Sequence, residues 1–170
     1  QIKAVQFGGP TGACLPASLL DTKLEFEALT AAGTIMGSGT LLALDETACL
    51  VDFARSQLQL LASESCGRCV PGRLGTQRLS FILDQIATGA GRAGDLELLA
   101  ELSQNMADGA VCAYGITAAN PVLSTLQHFR AEYEAHLNDK RCPTGRCDVA
   151  AAVTPERREE LWKRTWPIRR

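Results

Sequence analysis

The chain of 170 residues is long enough for a buried core, and its 46% hydrophobic and 21% charged residues are typical of a globular protein. This composition excludes a disordered or collagen-like chain, and no apolar run approaches the about 20 residues that a membrane-spanning helix needs. The net charge of −2 and the 5% aromatic content give no indication of a nucleic-acid-binding surface. Seven cysteines, an odd number, favour metal-binding thiolates in a reducing compartment over a secreted disulfide framework.

The first part of the chain predicts short extended pieces around glycine-rich turns. Residues 8–12 form the first turn, and a phosphate-binding loop is disfavoured there because no Lys-Ser/Thr pair follows. Residues 24–32 predict a short helix that the glycines after it end. Residues 40–44 then predict one buried strand.

From there on, apolar side chains recur at helical spacing, which predicts a bundle of four helices with short loops. Asp45 or Thr47 is expected to cap the first helix, which ends near Leu61. The other three are expected over residues 71–89, 96–106 and 121–137.

Cys66 and Cys69 form the strongest local motif, Cys-Gly-Arg-Cys. Two thiolates three residues apart before a helix N-terminus can bind one metal centre, and free backbone N–H groups there can donate to anionic sulfur. A zinc half-site and a thioredoxin-like redox pair share this motif. The redox pair normally lies in a βαβ unit, which the pattern lacks, so the spacing favours a metal centre.

A second group of potential ligands, His136, Cys142 and Cys147, lies near the end of the chain. These side chains suit zinc, which binds imidazole and thiolate at about 2.0–2.3 Å, and Cys49 is the candidate for a fourth ligand. The alternative is that Cys49 is a small buried hydrophobic residue and that Cys142 and Cys147 form a disulfide or stay free. His128 is expected to be a surface or core residue rather than a ligand.

Residues 64–75 resemble the Glu-Ser-Cys-Gly-Lys-Cys-Thr-Pro-Cys-Arg-x-Gly signature of the NADH-binding flavoprotein subunit of respiratory complex I, of NAD-linked hydrogenases and of formate dehydrogenases. Here the segment is Glu-Ser-Cys-Gly-Arg-Cys-Val-Pro-Gly-Arg-Leu-Gly. The resemblance covers residues 6–148 and implies a mainly α fold, a four-helix-bundle iron–sulfur domain preceded by a short β-containing remnant of a β-grasp domain. Other family-like segments occur in the family order at residues 8–12, 37–40, 111–115 and 120–122.

The chain is accordingly expected to divide into three parts: residues 1–45 as the end of a β-grasp-like domain with a connector, residues 46–138 as the helical iron–sulfur domain, and residues 139–170 as a cysteine knuckle and terminal helix. The terminal helix is predicted over residues 154–164. Trp162 and Trp166 are expected to pack it on the bundle or on a partner.

The resemblance implies the ligands of a [4Fe–4S] cluster, for which the family uses three cysteines of the signature and one from a later helix. Cys66 and Cys69 correspond to the first two and Cys112 to the last, whereas Gly72 stands at the third position. With three thiolates the cluster could keep one open iron, lose that iron to a [3Fe–4S] form or fail to assemble. The residues that could substitute for the missing thiolate are Cys14 and Cys49.

The implied function is an electron-transfer iron–sulfur module that relays electrons from flavin to a partner subunit of a multisubunit redox complex. FMN and NAD would bind in an upstream domain that this chain lacks, so the chain by itself is not expected to oxidise NADH. Neither nucleic acid binding nor membrane insertion is expected. The expected location is cytoplasmic, with peripheral attachment to a membrane complex as one option.

The alternative is a non-redox docking domain that has lost its cluster and is held together by zinc. Gly72 favours this alternative, and the retained Cys66, Cys69 and Cys112 argue against it. The terminal Cys-Pro-x-x-x-Cys segment also resembles the electron-bifurcating hydrogenase branch of the family, which implies that zinc binds in this region.

Overall fold

The computed structural model describes residues 1–149 together with Glu156, Glu159 and Glu160. Within these residues the chain is mainly α, with one three-stranded antiparallel sheet ahead of the long helices, so the predicted fold class is confirmed. The predicted helix over residues 154–164 and its two tryptophans lie outside the described residues, apart from those three glutamates.

The central strand of the sheet is β1 (Ile2–Phe7), which pairs with β2 (Cys14–Pro16) on one side and with β3 (Leu41–Asp45) on the other. The predicted burial of the last strand is wrong, because β3 is an edge strand and Leu41 and Leu42 are 55% and 43% exposed. Apolar composition suggested a strand with neighbours on both sides, but β3 has a neighbour on one side only within the described residues.

The helices of the described residues are α1 (Phe26–Ala31), α2 (Leu50–Glu64), α3 (Thr76–Ala87), α4 (Asp95–Gly109), α5 (Ala113–Thr117), α6 (Asn120–His128) and α7 (Arg130–Leu137). A π-helical turn at Pro71–Gly75 leads into α3. The four predicted long helices are therefore present, but the last is divided into α6 and α7. The division falls at Phe129, whose φ of −130° and ψ of 31° depart from helical geometry.

The helices share one apolar core, in which α2 packs mainly against α3, and α4 packs against α6. Leu58, Leu83, Leu99 and Tyr133 are fully buried in it. Burying each leucine contributes roughly 2 kcal/mol to stability, which fixes the bundle on which the cysteines are placed. None of the described helices is both long enough and apolar enough to cross a bilayer.

The start of α2 differs from the prediction. Asp45 accepts hydrogen bonds from the backbone N–H and the hydroxyl of Thr47, at 3.0 and 2.7 Å, so it closes a turn and does not cap the helix. The helix begins at Leu50, and the Leu50 N–H donates to Glu132 Oε2 of α7 at 3.0 Å. A carboxylate distant in sequence thus accepts from a free amide of the first turn.

Candidate metal centres

Four potential metal ligands converge where the start of α2 meets the end of α7 and the loop after it. The ligand atoms of Cys49, His136, Cys142 and Cys147 all lie within 4.8 Å of one another. Cys49 Sγ lies 3.6 Å from His136 Nε2 and 3.6 Å from Cys147 Sγ. Three of the four residues are buried and Cys147 is half-buried. One imidazole and three thiols this close together have the donor set of a closed structural zinc site.

Hydrogen bonds of α7 orient the ring of His136. Its Nδ1 donates to the backbone carbonyl of Glu132 at 2.7 Å, which directs Nε2 toward Cys49 Sγ and makes Nε2 the ligand atom once a metal displaces its proton. The Glu132 carboxylate accepts from the Leu50 N–H at 3.0 Å and pairs with Lys3 Nζ at 2.6 Å. Glu132 therefore connects α7 with the first residue of α2 and with β1.

The thiols of this cluster are electrostatically coupled. The hydrogen bond from Cys147, helped by that from His136, lowers the pKa of Cys49 to about 4 although burial opposes the shift. The pKa of Cys147 is raised because its proton is held by the Cys49 sulfur. Burial would lower the pKa of His136, but its hydrogen bonds to Cys49 and to the Glu132 carbonyl raise it to about 9. A thiophilic cation would displace these shared protons when it binds.

The other three predicted ligands lie on two neighbouring loops. Cys66 and Cys69 lie between α2 and the π-helical turn, and Cys112 precedes α5. Cys66 and Cys112 are exposed and Cys69 is half-buried. Burial raises the pKa of Tyr114, and negative charge at Glu64, Cys112 and Cys66 adds to the shift.

Backbone N–H groups donate to the Sγ atoms of Cys69 and Cys112. Hydrogen bonds from the backbone of Val111 and of Gly72 lower the pKa of Cys69. The Sγ of Cys112 accepts from the Gly115 N–H at 3.5 Å. Since Val111 directly precedes Cys112, the bond from Val111 to Cys69 joins the two loops. Such bonds stabilise the thiolate form, which is the form that binds iron.

Two glycines allow these loops to approach each other closely. A Cβ at Gly72 would lie 3.0 Å from Cys69 Sγ and 3.9 Å from the Cα of Gly115. The carbonyl of Gly72 accepts from the hydroxyls of Ser65 and Thr76 at 3.2 and 2.7 Å. These bonds hold the π-helical turn in the position that presents Cys69 to the second loop.

The cysteines considered as substitutes lie elsewhere. Cys14 packs in β2 with Phe53 of α2, its N–H donates to Ser124 Oγ at 2.8 Å, and burial raises its pKa to about 12. Cys49 belongs to the cluster with His136 described above. His128 packs edge-on against the Phe129 ring, with 6.5 Å between centroids.

Three residues that support these sites were not predicted from the sequence: Lys3, Glu132 and Tyr114. The Tyr114 hydroxyl donates to the Leu61 carbonyl at 2.6 Å and so ties the second cysteine loop to α2. The spacing of four between Glu132 and His136 on one helix could have drawn attention to the glutamate. The contacts of Glu132 with Leu50 and Lys3 have no local signal, because they join distant parts of the chain.

A protein-family model described as the NADH-ubiquinone oxidoreductase-F iron–sulfur binding region matches residues 52–136. The chain is 44% identical over 152 residues to the NADP-reducing hydrogenase subunit HndC of Solidesulfovibrio fructosivorans, covering 89% of this chain and 31% of that protein. It is 37% identical over 143 residues to the F 2 subunit of the NADH-quinone oxidoreductase of Rhizobium meliloti (strain 1021), covering 84% of this chain and 34% of that protein.

The fold is similar to that of a solved structure, the NAD+-reducing [NiFe]-hydrogenase in the H2-reduced state. The TM-score is 0.73 at 35% sequence identity, and the similarity covers 81% of this chain and 24% of that one. The chain thus spans about a third of the length of the curated relatives described above.

Proposed function

Because the chain belongs to the family of the NADH-ubiquinone oxidoreductase-F iron–sulfur binding region, as its signature segment predicted, we propose that it is the electron-transfer module of a redox flavoprotein. The observation that carries this proposal is the close approach of the two cysteine-bearing loops, since a Cβ at Gly72 would lie 3.0 Å from Cys69 Sγ and 3.9 Å from the Cα of Gly115. Cys66, Cys69 and Cys112 are the proposed thiolate ligands of the cluster. Thiolate donors with backbone N–H groups directed at them fit an iron–sulfur group.

The bound cluster would accept and donate single electrons. The protein contributes the surroundings of the sulfurs. The backbone N–H groups of Val111, Gly72 and Gly115 donate to two of the three thiolates, and such bonds favour the more negative, reduced state of a cluster. Tyr114 ties the second loop to α2 through the Leu61 carbonyl, which restrains the position of Cys112 relative to the bundle.

The cofactors and the partner subunit that we propose are inferred from the names of the related proteins. HndC is named as a subunit of an NADP-reducing hydrogenase, and the Rhizobium protein as one of an NADH-quinone oxidoreductase. On this basis FMN and NAD would bind outside this chain, and another subunit of a multisubunit redox complex would receive the electrons. The location would be cytoplasmic, with peripheral attachment to a membrane complex as one option.

The proposed domain division has three parts: residues 1–45, 46–138 and 139–170.

A structural zinc ion is the second part of the proposal, with Cys49, His136, Cys142 and Cys147 as its ligands. The mutual proximity of the four ligand atoms, within 4.8 Å, supports it. Zinc would link the start of α2, the end of α7 and the loop that follows, and it would leave no coordination position open for catalysis.

Anaerobic reconstitution with iron and sulfide tests the cluster. The native chain should acquire absorption near about 400 nm and, after reduction, an EPR signal typical of an iron–sulfur cluster. Cys69→Ser should lower the bound iron, whereas Cys14→Ala, which removes a buried thiol from the sheet, should leave it unchanged. A colourless protein that holds only zinc would contradict electron transfer and would support the non-redox docking domain that Gly72 also allows.

Metal analysis tests the zinc site independently of iron. The native chain should bind about one zinc per chain, and cobalt substituted for it should give the intense visible bands of a tetrahedral thiolate site. Cys142→Ser should weaken binding by at least about tenfold, with Cys14→Ala again as the matched control. Equal zinc affinity in the two variants would exclude Cys142 as a ligand.

A further inference from the structure

The cluster of three cysteines and His136 contains two sulfurs that are close enough to form a disulfide. Cys49 Sγ and Cys147 Sγ are 3.6 Å apart, and the S–S bond of a disulfide is about 2.05 Å long. The two sulfurs therefore need to approach each other by about 1.5 Å. Cys142 supplies the third sulfur, whose distance from the Thr144 hydroxyl is 3.4 Å.

The backbone around this pair allows the approach. Cys49 directly precedes α2, and its carbonyl accepts from the Phe53 N–H of the first helical turn at 2.9 Å. Cys147 lies in the loop after α7, outside the helices and strands of the described residues. A loop residue can move by this distance without disturbing the helical core. Cys147 is therefore the partner that would move, toward a Cys49 that the helix holds in place.

A small oxidant can reach the pair from solvent. Cys147 is half-buried, so its sulfur is the one that a solute reaches first. Cys49 is only 2% exposed, but it lines a cleft of about 380 Å³ between β3 and α2. Arg146, which directly precedes Cys147, lines the same cleft. A molecule as small as hydrogen peroxide fits this cleft without unfolding of the bundle.

We propose that hydrogen peroxide converts Cys49 and Cys147 into a reversible disulfide, and that formation of this bond releases the zinc ion. The disulfide removes two of the four donors, and His136 and Cys142 alone do not make a closed structural zinc site. The release of zinc rests on the proposed zinc site, whereas the disulfide rests on the distance between the two sulfurs.

This redox modification site is separate from the proposed iron–sulfur ligands. Cys49 precedes the first residue of α2, and Cys66 follows its last residue. The 15 residues of the helix correspond to a length of about 22 Å. Oxidation of the pair and electron transfer at the other end of α2 are therefore distinct reactions.

One molecule of peroxide balances the reaction. The Cys147 thiolate attacks a peroxide oxygen and the O–O bond breaks, which gives a sulfenic acid and hydroxide. The Cys49 thiolate then attacks the Cys147 sulfur, so that the S–S bond forms and the second oxygen leaves as hydroxide. Two protons from solvent convert both hydroxides to water. The two sulfurs lose two electrons in total, and peroxide gains them.

The test begins with zinc release from the zinc-loaded native chain in anaerobic buffer. Titration with hydrogen peroxide should raise the free zinc, measured with the dye 4-(2-pyridylazo)resorcinol, from near zero to about one per chain. Reduction with a phosphine should return the zinc to the chain. Cys14→Ala is the control, because it removes a buried thiol of the sheet, and it should release zinc as the native chain does.

Peptide mapping identifies the bond. Each of the seven cysteines lies in a tryptic peptide of its own, and cleavage after Arg146 separates Cys142 from Cys147. After alkylation of the free thiols, mass spectrometry without reduction should detect the peptide of Cys49 joined to that of Cys147, in proportion to the zinc released. A Cys142–Cys147 bond in its place, or sulfinic acid without a disulfide, would overturn the proposal.

Two variants of the same site test the pairing without zinc. Metal-free Cys142→Ser retains both partners, so peroxide should make Cys49 inaccessible to alkylation as it does in the metal-free native chain. Metal-free Cys147→Ser lacks the partner, so Cys49 should lose its reactivity at least about tenfold more slowly. Equal rates in the two variants would mean that Cys49 does not pair with Cys147.

The remaining outcomes separate this inference from the proposed function. A native chain that binds no zinc but forms the Cys49–Cys147 disulfide would overturn the zinc site and its release, and it would support the disulfide. A zinc-loaded chain that keeps both its zinc and these two thiols in excess peroxide would overturn the inference alone.

Discussion

The thiol of Cys69 illustrates how single residues set the chemistry of this protein. Backbone hydrogen bonds from Val111 and Gly72 lower its pKa, although burial opposes the shift. The thiolate is stabilised by partial charges that the fold holds in position, so the effect should disappear when the chain unfolds.

Alkylation of the iron-free chain with iodoacetamide should therefore reveal a pH shift at Cys69. Only the thiolate reacts, so the half-maximal rate should occur at a lower pH in the folded chain than in the chain unfolded by urea. Peptide mapping by mass spectrometry would separate Cys69 from the other cysteines. The same midpoint in both states would mean that the two backbone N–H groups do not stabilise the thiolate.

Tyr133 is a second residue whose effect is local. It is fully buried, and its hydroxyl lies 2.7 Å from the hydroxyl of Thr125. Tyr133→Phe removes this bond but keeps the ring, so the free energy of unfolding should fall by about 1 kcal/mol. Urea denaturation would measure the change. A loss above about 3 kcal/mol would indicate that the substitution repacks the core.

At the scale of elements, Glu132 joins three parts of the fold. Its carboxylate pairs with Lys3, and the two side chains are 12% and 19% exposed, while it also accepts from the Leu50 N–H of α2. Removing the Glu132 carboxylate would take an ion-pair partner from the largely buried Lys3 ammonium and leave the Leu50 N–H at the start of α2 without its acceptor.

Glu132→Ala should accordingly lower the free energy of unfolding by roughly 2–4 kcal/mol. Glu134→Ala on the same helix is the control, because Glu134 pairs with Arg130 at the surface and should change stability by less than about 1 kcal/mol. Denaturation of both variants with zinc present and absent would separate stability from metal binding. Equal losses would contradict the role assigned to Glu132.

The packing of α2 allows a similar comparison. Leu58 is fully buried in the core and Leu60, on the same helix, is 45% exposed. Leu58→Ala should lower the free energy of unfolding by about 2–5 kcal/mol, since it leaves a cavity, and Leu60→Ala by less than about 1 kcal/mol. Calorimetry of the two variants would check this, and similar values would contradict the described orientation of α2.

At the scale of the molecule, the proposed zinc ion would connect α2, α7 and the loop after residue 138. A ligand that binds only the folded chain stabilises it by about 3–4 kcal/mol at 100 to 1,000 times its Kd. Chelation by EDTA should thus lower the Tm of the zinc-loaded chain by about 5–15 °C. Cys142→Ser should show almost no response to EDTA. If the native chain responded no more than this variant, zinc would have no structural role.

Much of the fold was predictable because its signals are local. The periodicity of apolar residues and the prolines at positions 71 and 121 predicted the long helices, and the signature segment indicated Cys66 and Cys69 as the ligands that we propose. The burial of β3 was predicted wrongly, because an apolar strand has the same composition at an edge as in the middle of a sheet. The cap at Asp45 was wrong because the carboxylate that accepts from α2 comes from α7.

The amino-acid pattern alone determined the donor types and the family signature, including the glycine among the cysteines. Only the tertiary structure decided which donors meet: Cys49 lies 87 residues from His136 in the chain, yet 3.6 Å separates their ligand atoms. It likewise decided that Cys14 stays apart and that the Glu132 carboxylate of α7 accepts from the first residue of α2. The physical reason is that such contacts result from the packing of whole helices against a common core, whereas helix periodicity and motif spacing describe only neighbours along the chain.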